Sequence, residues 1–228
     1  MRRKWTRRVG CLVLVALLFL GVVPPMVTAS QLGSEEVAAD INLANTPGFS
    51  DVPTNHWARE AILFMLETEL MIGTSASLFA PEANLNRAMA ATILWRMSDF
   101  AWAPDLHGFH DVEPGRWYSQ SVAWVAFANI AQGTGVNTFS PQASITREQL
   151  VTMLYRFARH FEVDTRISGD PLQPFTDRTT VSPWARDAMA WAVYNGLITG
   201  ATATRLAPQG VANRAQAAVI LMRFYEEI

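Results

Sequence analysis

Cysteine is almost absent from this chain, and the single one, Cys11, lies in a segment that reads as a removable leader. Arg2, Arg3, Lys4, Arg7 and Arg8 form a basic start, an apolar run follows from Val9 to Val23, and Pro24 and Pro25 end it before the small residues of Val27-Thr28-Ala29. That is the three-part pattern of a secretory signal peptide over residues 1–29, and the run is short for a membrane span of ~20 residues. Cys11 sits early in the run, which argues against a lipoprotein anchor. The mature protein is then expected to carry no thiol, no disulfide and no thiolate metal site. Histidine is also scarce. His56, His107, His110 and His160 show no metal-ligand spacing, and His107 and His110 stand in a linker without further ligands. There is no Gly-x-Ser-x-Gly, no Walker loop and no dinucleotide fingerprint, so neither catalysis nor a cofactor is expected. Basic charge is in deficit. The leader takes five of 18 basic residues and leaves 13 against 20 acidic ones, a formal charge of −7 that makes nucleic acid a poor partner. No stretch alternates cleanly enough for a sheet. Half of the chain is nonetheless hydrophobic, with eight Trp and twelve Phe, so a folded protein is expected.

What the sequence does have is internal repetition. Phe49-Ser50-Asp51-Val52 recurs as Phe109-His110-Asp111-Val112 and as Phe175-Thr176-Asp177-Arg178. A tryptophan follows each: Trp57, Trp117, Trp184. Then, at identical intervals in all three copies, come a glycine (Gly73, Gly133, Gly200), a proline (Pro81, Pro141, Pro208), an arginine (Arg87, Arg147, Arg214) and a second arginine (Arg96, Arg156, Arg223). Five positions, from the Trp to the second arginine, in register three times exclude coincidence and define tandem repeats. The boundaries read as copy one over 48–100, copy two over 108–161 and copy three over 174–228, after a short polar segment over 30–47.

Each copy reads as helix–loop–helix, and the fold class as all-α. The first helix is expected to begin near the Trp, with Ser182 as N-cap and Pro183 in the first turn of copy three. Trp117 and Trp124, like Trp184 and Trp191, are seven apart and are expected on one helical face. The glycines are expected to stop that helix. The second helix runs from about Arg87, Arg147 and Arg214 into Ala- and Leu-rich sequence. One hairpin cannot cover its own apolar face, so the copies are expected to pack on one another.

The combined pattern, Phe-x-Asp-Val, Trp, Gly, Phe-x-Pro and then Ile145-Thr146-Arg147-Glu148-Gln149, resembles the S-layer homology domain, and the resemblance covers roughly Gly48 to Ile228. It implies three copies arranged as a pseudo-threefold prism around a central helical bundle. It also implies non-covalent anchoring to a secondary cell-wall polysaccharide linked to peptidoglycan. The ligand would lie in grooves between copies, with a pyruvylated amino sugar as the recognised unit in many members. The binding positions it implies are Asp51, Trp57, Gly73 and Arg87 in copy one. In copy two they are Asp111, Trp117, Gly133 and Arg147, and in copy three Asp177, Trp184, Gly200 and Arg214. The implied location is the bacterial cell surface. Copies one and three depart from the pattern at Asn86 and Asn213, where copy two has Thr146. Copy three has Leu206 in place of Phe, and Glu148 is present only in copy two.

The residue chemistry is consistent with that implication. A guanidinium grips a carboxylate through a planar fork, an indole face covers the apolar side of a sugar, and glycine opens the backbone to a ligand. A cation at a helix N-terminus opposes the macrodipole, so each first arginine calls for an anion or a facing Asp. The second arginines read as structural. Other readings stay open: Trp as core rings, Asp as turn formers or partners of an arginine, glycine as helix stops. At the level of function the alternatives are an interaction protein that binds another surface protein, with its arginines as internal struts, and, last, a wall-active hydrolase.

Overall fold

The second helix of each copy starts where a side chain closes the open backbone end. Asn86 Oδ1 accepts from the Met89 N–H at 2.8 Å, and Thr146 Oγ1 accepts from the Gln149 N–H at 3.3 Å. In copies two and three the cap is reciprocal, because Gln149 and Gln216 return their side-chain oxygens to the Thr146 and Asn213 N–H groups. Asn and Thr are comparable N-caps, so the two asparagines are no loss to the helices.

The computed structural model describes residues 48–104 and 108–227. The expected leader with Cys11, the polar segment over 30–47 and His107 lie outside those residues. Six α-helices follow in order: α1 (Arg59–Glu67) and α2 (Arg87–Met97) in copy one, α3 (Ser119–Phe127) and α4 (Arg147–His160) in copy two, and α5 (Arg186–Tyr194) and α6 (Arg214–Glu227) in copy three. Two 3₁₀ turns, Arg178–Thr180 and Pro183–Ala185, precede α5. Among the described residues only isolated bridges link extended backbone, and there is no strand. The fold is all-α.

The first helices begin near the motif tryptophans, with Trp57 and Trp117 two residues before α1 and α3 and Trp184 in the 3₁₀ turn that leads into α5. Three other local expectations need correction. The seven-residue spacing does not span two helical turns. Trp124 and Trp191 are buried, whereas Trp117 and Trp184 are exposed. Ser182 precedes its 3₁₀ turn but makes no side-chain cap, because its hydroxyl goes to Glu148 instead. The glycines do not stop the helices either. α1, α3 and α5 end at Glu67, Phe127 and Tyr194, and the left-handed residues just beyond are Glu69, Asn129 and Gly196, with φ of 56°, 56° and 70°. Arg96 and Arg223 donate to the carbonyls at those ends, Glu69 with Leu70 and Gly196 with Leu197. Their structural assignment has this as its reason: the helix C-terminal carbonyls attract a cation.

The copies join in a closed ring. Helix α2 packs on α3, α4 on α5, and α6 back on α1, so each second helix is covered by the first helix of the next copy. At the centre three fully buried residues exchange backbone hydrogen bonds cyclically. The Leu85 N–H donates to the Ala212 carbonyl, Ala212 to Ile145 and Ile145 to Leu85, at 2.9–3.0 Å. The first amides of α2, α4 and α6, which have no acceptor within their own helix, donate to loop carbonyls of the next copy: Arg87 to Ala143, Arg147 to Gly210, Arg214 to Ala83. Each helix start is thus completed by a neighbour, which makes the three copies interdependent.

Candidate functional site

The loop between the two helices of a copy is fixed by the Asp of the Phe-x-Asp motif. Asp51 accepts from the Phe79 and Ala80 N–H groups at 3.0 and 2.7 Å, Asp111 from Phe139 and Ser140 at 2.8 and 2.7 Å, and Asp177 from Leu206 and Ala207, both at 2.9 Å. Ala80, Ser140 and Ala207 are left-handed, with φ of 58°, 59° and 48°. A non-glycine residue is held there at a cost, and the carboxylate that binds its N–H offsets it. Burial acts to raise the pKa of these three carboxyls, but their backbone donors prevail and the net shift is downward.

The same loop residue faces the preceding copy with its carbonyl. Arg87 Nε donates to the Phe139 carbonyl at 2.8 Å, Arg147 Nε to Leu206 at 2.9 Å, and Arg214 Nε to Phe79 at 2.9 Å. One peptide unit thus stands between the Asp of its own copy and the Arg of the copy before. All three arginines are buried. Burial pushes each guanidinium below its ordinary pKa, and the Asp beyond the loop (Asp111, Asp177 and Asp51 in turn) opposes that shift. This meets the need for negative potential at the start of α2, α4 and α6. Arg87 and Arg214 also lie over the Phe139 and Phe79 rings, at 4.7 and 4.4 Å from the centroids.

The glycines are sites of close approach. A Cβ on Gly73 would stand 2.6 Å from both Phe49 Cε1 and the Ser75 carbonyl oxygen, and Cβ atoms on Gly133 and Gly200 would stand 2.5 Å from the Thr138 and Thr202 carbonyl oxygens. Only Gly200 of the three is left-handed, at φ 97°. The motif tryptophans are exposed large aromatics, with 62, 58 and 53% of the surface of Trp57, Trp117 and Trp184 open. Core packing does not account for them.

An open cleft of about 340 Å³ brings these parts together across copies. Trp57 of copy one, Arg147 of copy two and Gly200 of copy three line it, with Gln216, Ile220 and Arg223 of α6. The four motif residues of one copy do not form one site: Arg147 meets the loop of copy three, and it is Trp57, not Trp117, that shares its cleft. The repeat register cannot show this, because it orders residues along a copy and not around the ring. Sequence reasoning also missed the use of Glu148. This buried carboxylate accepts from the Ser182 N–H at 3.0 Å, the Ser182 hydroxyl at 2.8 Å and Gln209 Nε2 at 2.8 Å, which ties α4 to copy three. Its signal was its presence in one copy alone, where Ala88 and Ala215 occupy the equivalent places. Among the described residues no group of acidic, His or Cys side chains is placed to hold a metal, and no helix is long and apolar enough to cross a membrane.

The three copies thus form a ring of helical hairpins with a cleft shared by residues of all three. The chain belongs to the S-layer homology domain family, whose pattern matches residues 48–91, 108–151 and 174–218. It is similar to an S-layer protein of Bacillus thuringiensis subsp. finitimus, 27% identical over 92% of this chain and 23% of that protein. It is also similar to a surface-layer 125 kDa protein of Lysinibacillus sphaericus (30% identical over 75% of this chain and 14% of the relative). A third relative is an exoglucanase of Acetivibrio thermocellus (28% over 78% and 16%). The chain therefore spans about a quarter or less of these relatives' length. It is a secreted protein of the bacterial cell surface and wall.

Proposed function

We propose that this protein attaches to the wall by binding a secondary cell-wall polysaccharide linked to peptidoglycan, in the grooves between copies, and that it recognises a carboxylate such as that of a pyruvyl ketal. The observation that carries this reading is the cleft in which the exposed Trp57 faces the buried Arg147. An indole offers a flat apolar surface to a sugar ring, and a guanidinium offers paired donors to a carboxylate. By the threefold register the other two grooves pair Trp117 with Gly73 and Arg214, and Trp184 with Gly133 and Arg87. Asp51, Asp111 and Asp177 act from behind, holding the loops that carry the glycines. Engagement of more than one groove by one polymer chain adds avidity.

We assign no catalytic role. The exoglucanase relative is matched over 16% of its length, which agrees with an attachment part shared by proteins of different activity. The second reading, with arginines as internal struts, is favoured at two positions. Arg87 and Arg214 each give a second donor to a carbonyl, Gln132 and Ile72 respectively. Retention on purified sacculi, before and after chemical removal of the attached polymer, tests the proposal. Strong retention on untreated sacculi and little on stripped ones is expected; equal retention on both rejects polymer recognition.

A further inference from the structure

The three grooves are built from one register, yet their arginines are not in the same state. Arg87 donates through Nε and Nη2, to the Phe139 and Gln132 carbonyls. Arg214 does the same, to Phe79 and Ile72, with Nη2 at 2.6 Å. Gln132 and Ile72 are the residues just before the motif glycines. Arg147 donates through Nε alone, to Leu206. The equivalent third acceptor would be the Thr199 carbonyl, and no such bond forms among the described residues. Gly200 explains the difference. Its φ is 97°, while Gly73 and Gly133 are not left-handed. Turning over the peptide plane between residues 199 and 200 changes the φ of Gly200 and redirects the Thr199 carbonyl in one motion. Glycine permits both settings, which a side chain would not. The ring under the guanidinium is missing as well, since Leu206 stands where Phe79 and Phe139 stand in the other loops.

Resting on the wall-polymer reading above, we infer that the groove lined by Trp57, Arg147 and Gly200 is the anion-accepting groove of this protein, and that the setting of the Thr199–Gly200 peptide selects it. Neither terminal nitrogen of Arg147 donates to another described residue, and Arg147 lines the cleft, so a carboxylate there can meet the guanidinium end-on with two parallel bonds. In the other grooves Nη2 already gives one of its two N–H groups to the Gln132 or Ile72 carbonyl, which pins the guanidinium against backbone and leaves it fewer free donors than Arg147 has. The junction between copies two and three tolerates an uncommitted Arg147 because Glu148 ties those two copies through Ser182 and Gln209.

The test uses the protein labelled with 5-fluorotryptophan. The ¹⁹F resonances of Trp57, Trp117 and Trp184 are assigned by single Trp→Phe variants, one reporter per groove. The probe is the methyl glycoside of an N-acetylamino sugar bearing a pyruvyl ketal, with the ketal-free glycoside as control. The Trp57 resonance is expected to move at a probe concentration at least about tenfold below that needed for the other two, and the control to be at least about tenfold weaker. Arg147→Lys, which keeps the charge without the fork, is expected to raise the Trp57 midpoint by about tenfold or more, while Arg166→Lys, at an exposed ion pair with Asp164 outside the grooves, leaves it unchanged. If all three resonances move together, the grooves are equivalent and the inference is overturned, with the wall reading intact. If none moves while untreated sacculi still retain the protein, the anion site is overturned. If retention on sacculi is absent as well, the wall reading itself falls.

Discussion

At the junction between copies three and one, Arg214 is held at three points: the Phe79 carbonyl, the Ile72 carbonyl and the Phe79 ring. At the junction between copies two and three, Arg147 is held at one, and the Glu148 carboxylate, bound by Ser182 and Gln209, has taken over the fastening. The fold thus contains the same arginine in two roles, as a strut and as a donor in waiting. What separates the roles is one peptide plane, one Phe-to-Leu exchange and one Ala-to-Glu exchange at the neighbouring position. A repeat protein can in this way keep its architecture at every junction and reserve ligand chemistry for some of them.

Acid is expected to have the largest effect, because it acts on what the junctions share. Asp51, Asp111 and Asp177 each bind two loop amides, and each has a folded-state pKa below its ordinary value despite the opposing effect of burial. Their contribution is therefore complete above the unfolded value of about 3.9 and is lost as pH falls through the lower folded-state values. Thermal unfolding followed by circular dichroism should show a steady Tm down to about pH 4 and a steep fall below it. A Tm independent of pH from 5 to 2 would contradict the role of the Asp clamps.

Truncation of the arginines breaks the comparison directly. Arg214→Ala leaves two carbonyls without their donor and an aromatic face uncovered, and should cost about 3–4 kcal/mol. Arg147→Ala loses one carbonyl bond and should cost about 1–2 kcal/mol, while abolishing retention on sacculi. Denaturant unfolding ranks the two, and equal losses would mean that Arg147 is a strut like the others. Glu148→Ala falls between them. It removes three hydrogen bonds to a buried carboxylate and should cost about 2–3 kcal/mol, with wall retention preserved in the folded fraction. The equivalent changes cannot be made in copies one and three, where Ala88 and Ala215 are already present.

The contrast also marks what the sequence could and could not disclose. The register of Asp, Trp, Gly and Arg is legible because a threefold ring requires the same bonds three times, and each bond constrains a residue type. Helix α4 is legible from Thr146 and Gln149, whose capping box is local. The partners are not legible, since Arg147 acts 59 positions away on Leu206 and Arg214 acts 135 positions away on Phe79. The helix ends are not legible from the motif glycines, which read as stops but lie six residues beyond the ends. The stops are Glu69, Asn129 and Gly196, and two of those are not glycine. The motif glycines meet a different demand, the close approach of Phe49, Phe109 and Phe175 and of their own loop carbonyls. Glu148 is visible as an anomaly of copy two, but its use depends on Ser182, which has no serine counterpart in the other copies, and on Gln209, whose counterparts Gln142 and Glu82 accept from Asn86 and Asn213 instead.

The smallest expected effect on stability is also the sharpest on function. Trp57, Trp117 and Trp184 stay more than half exposed, so replacing any of them with Ala should change stability by only about 0.5 kcal/mol. If the tryptophans served only the fold, the three variants would be alike in every assay. If the cleft that joins Trp57 to Arg147 is the one that takes the polymer's carboxylate-bearing unit, Trp57→Ala alone should weaken retention on untreated sacculi by about tenfold. Trp117→Ala and Trp184→Ala should then reduce it less, through lost avidity. Co-sedimentation of the three variants at matched concentration distinguishes these outcomes. Equal weakening by all three would return the grooves to equivalence, and the uncommitted donors of Arg147 would then have no consequence for binding.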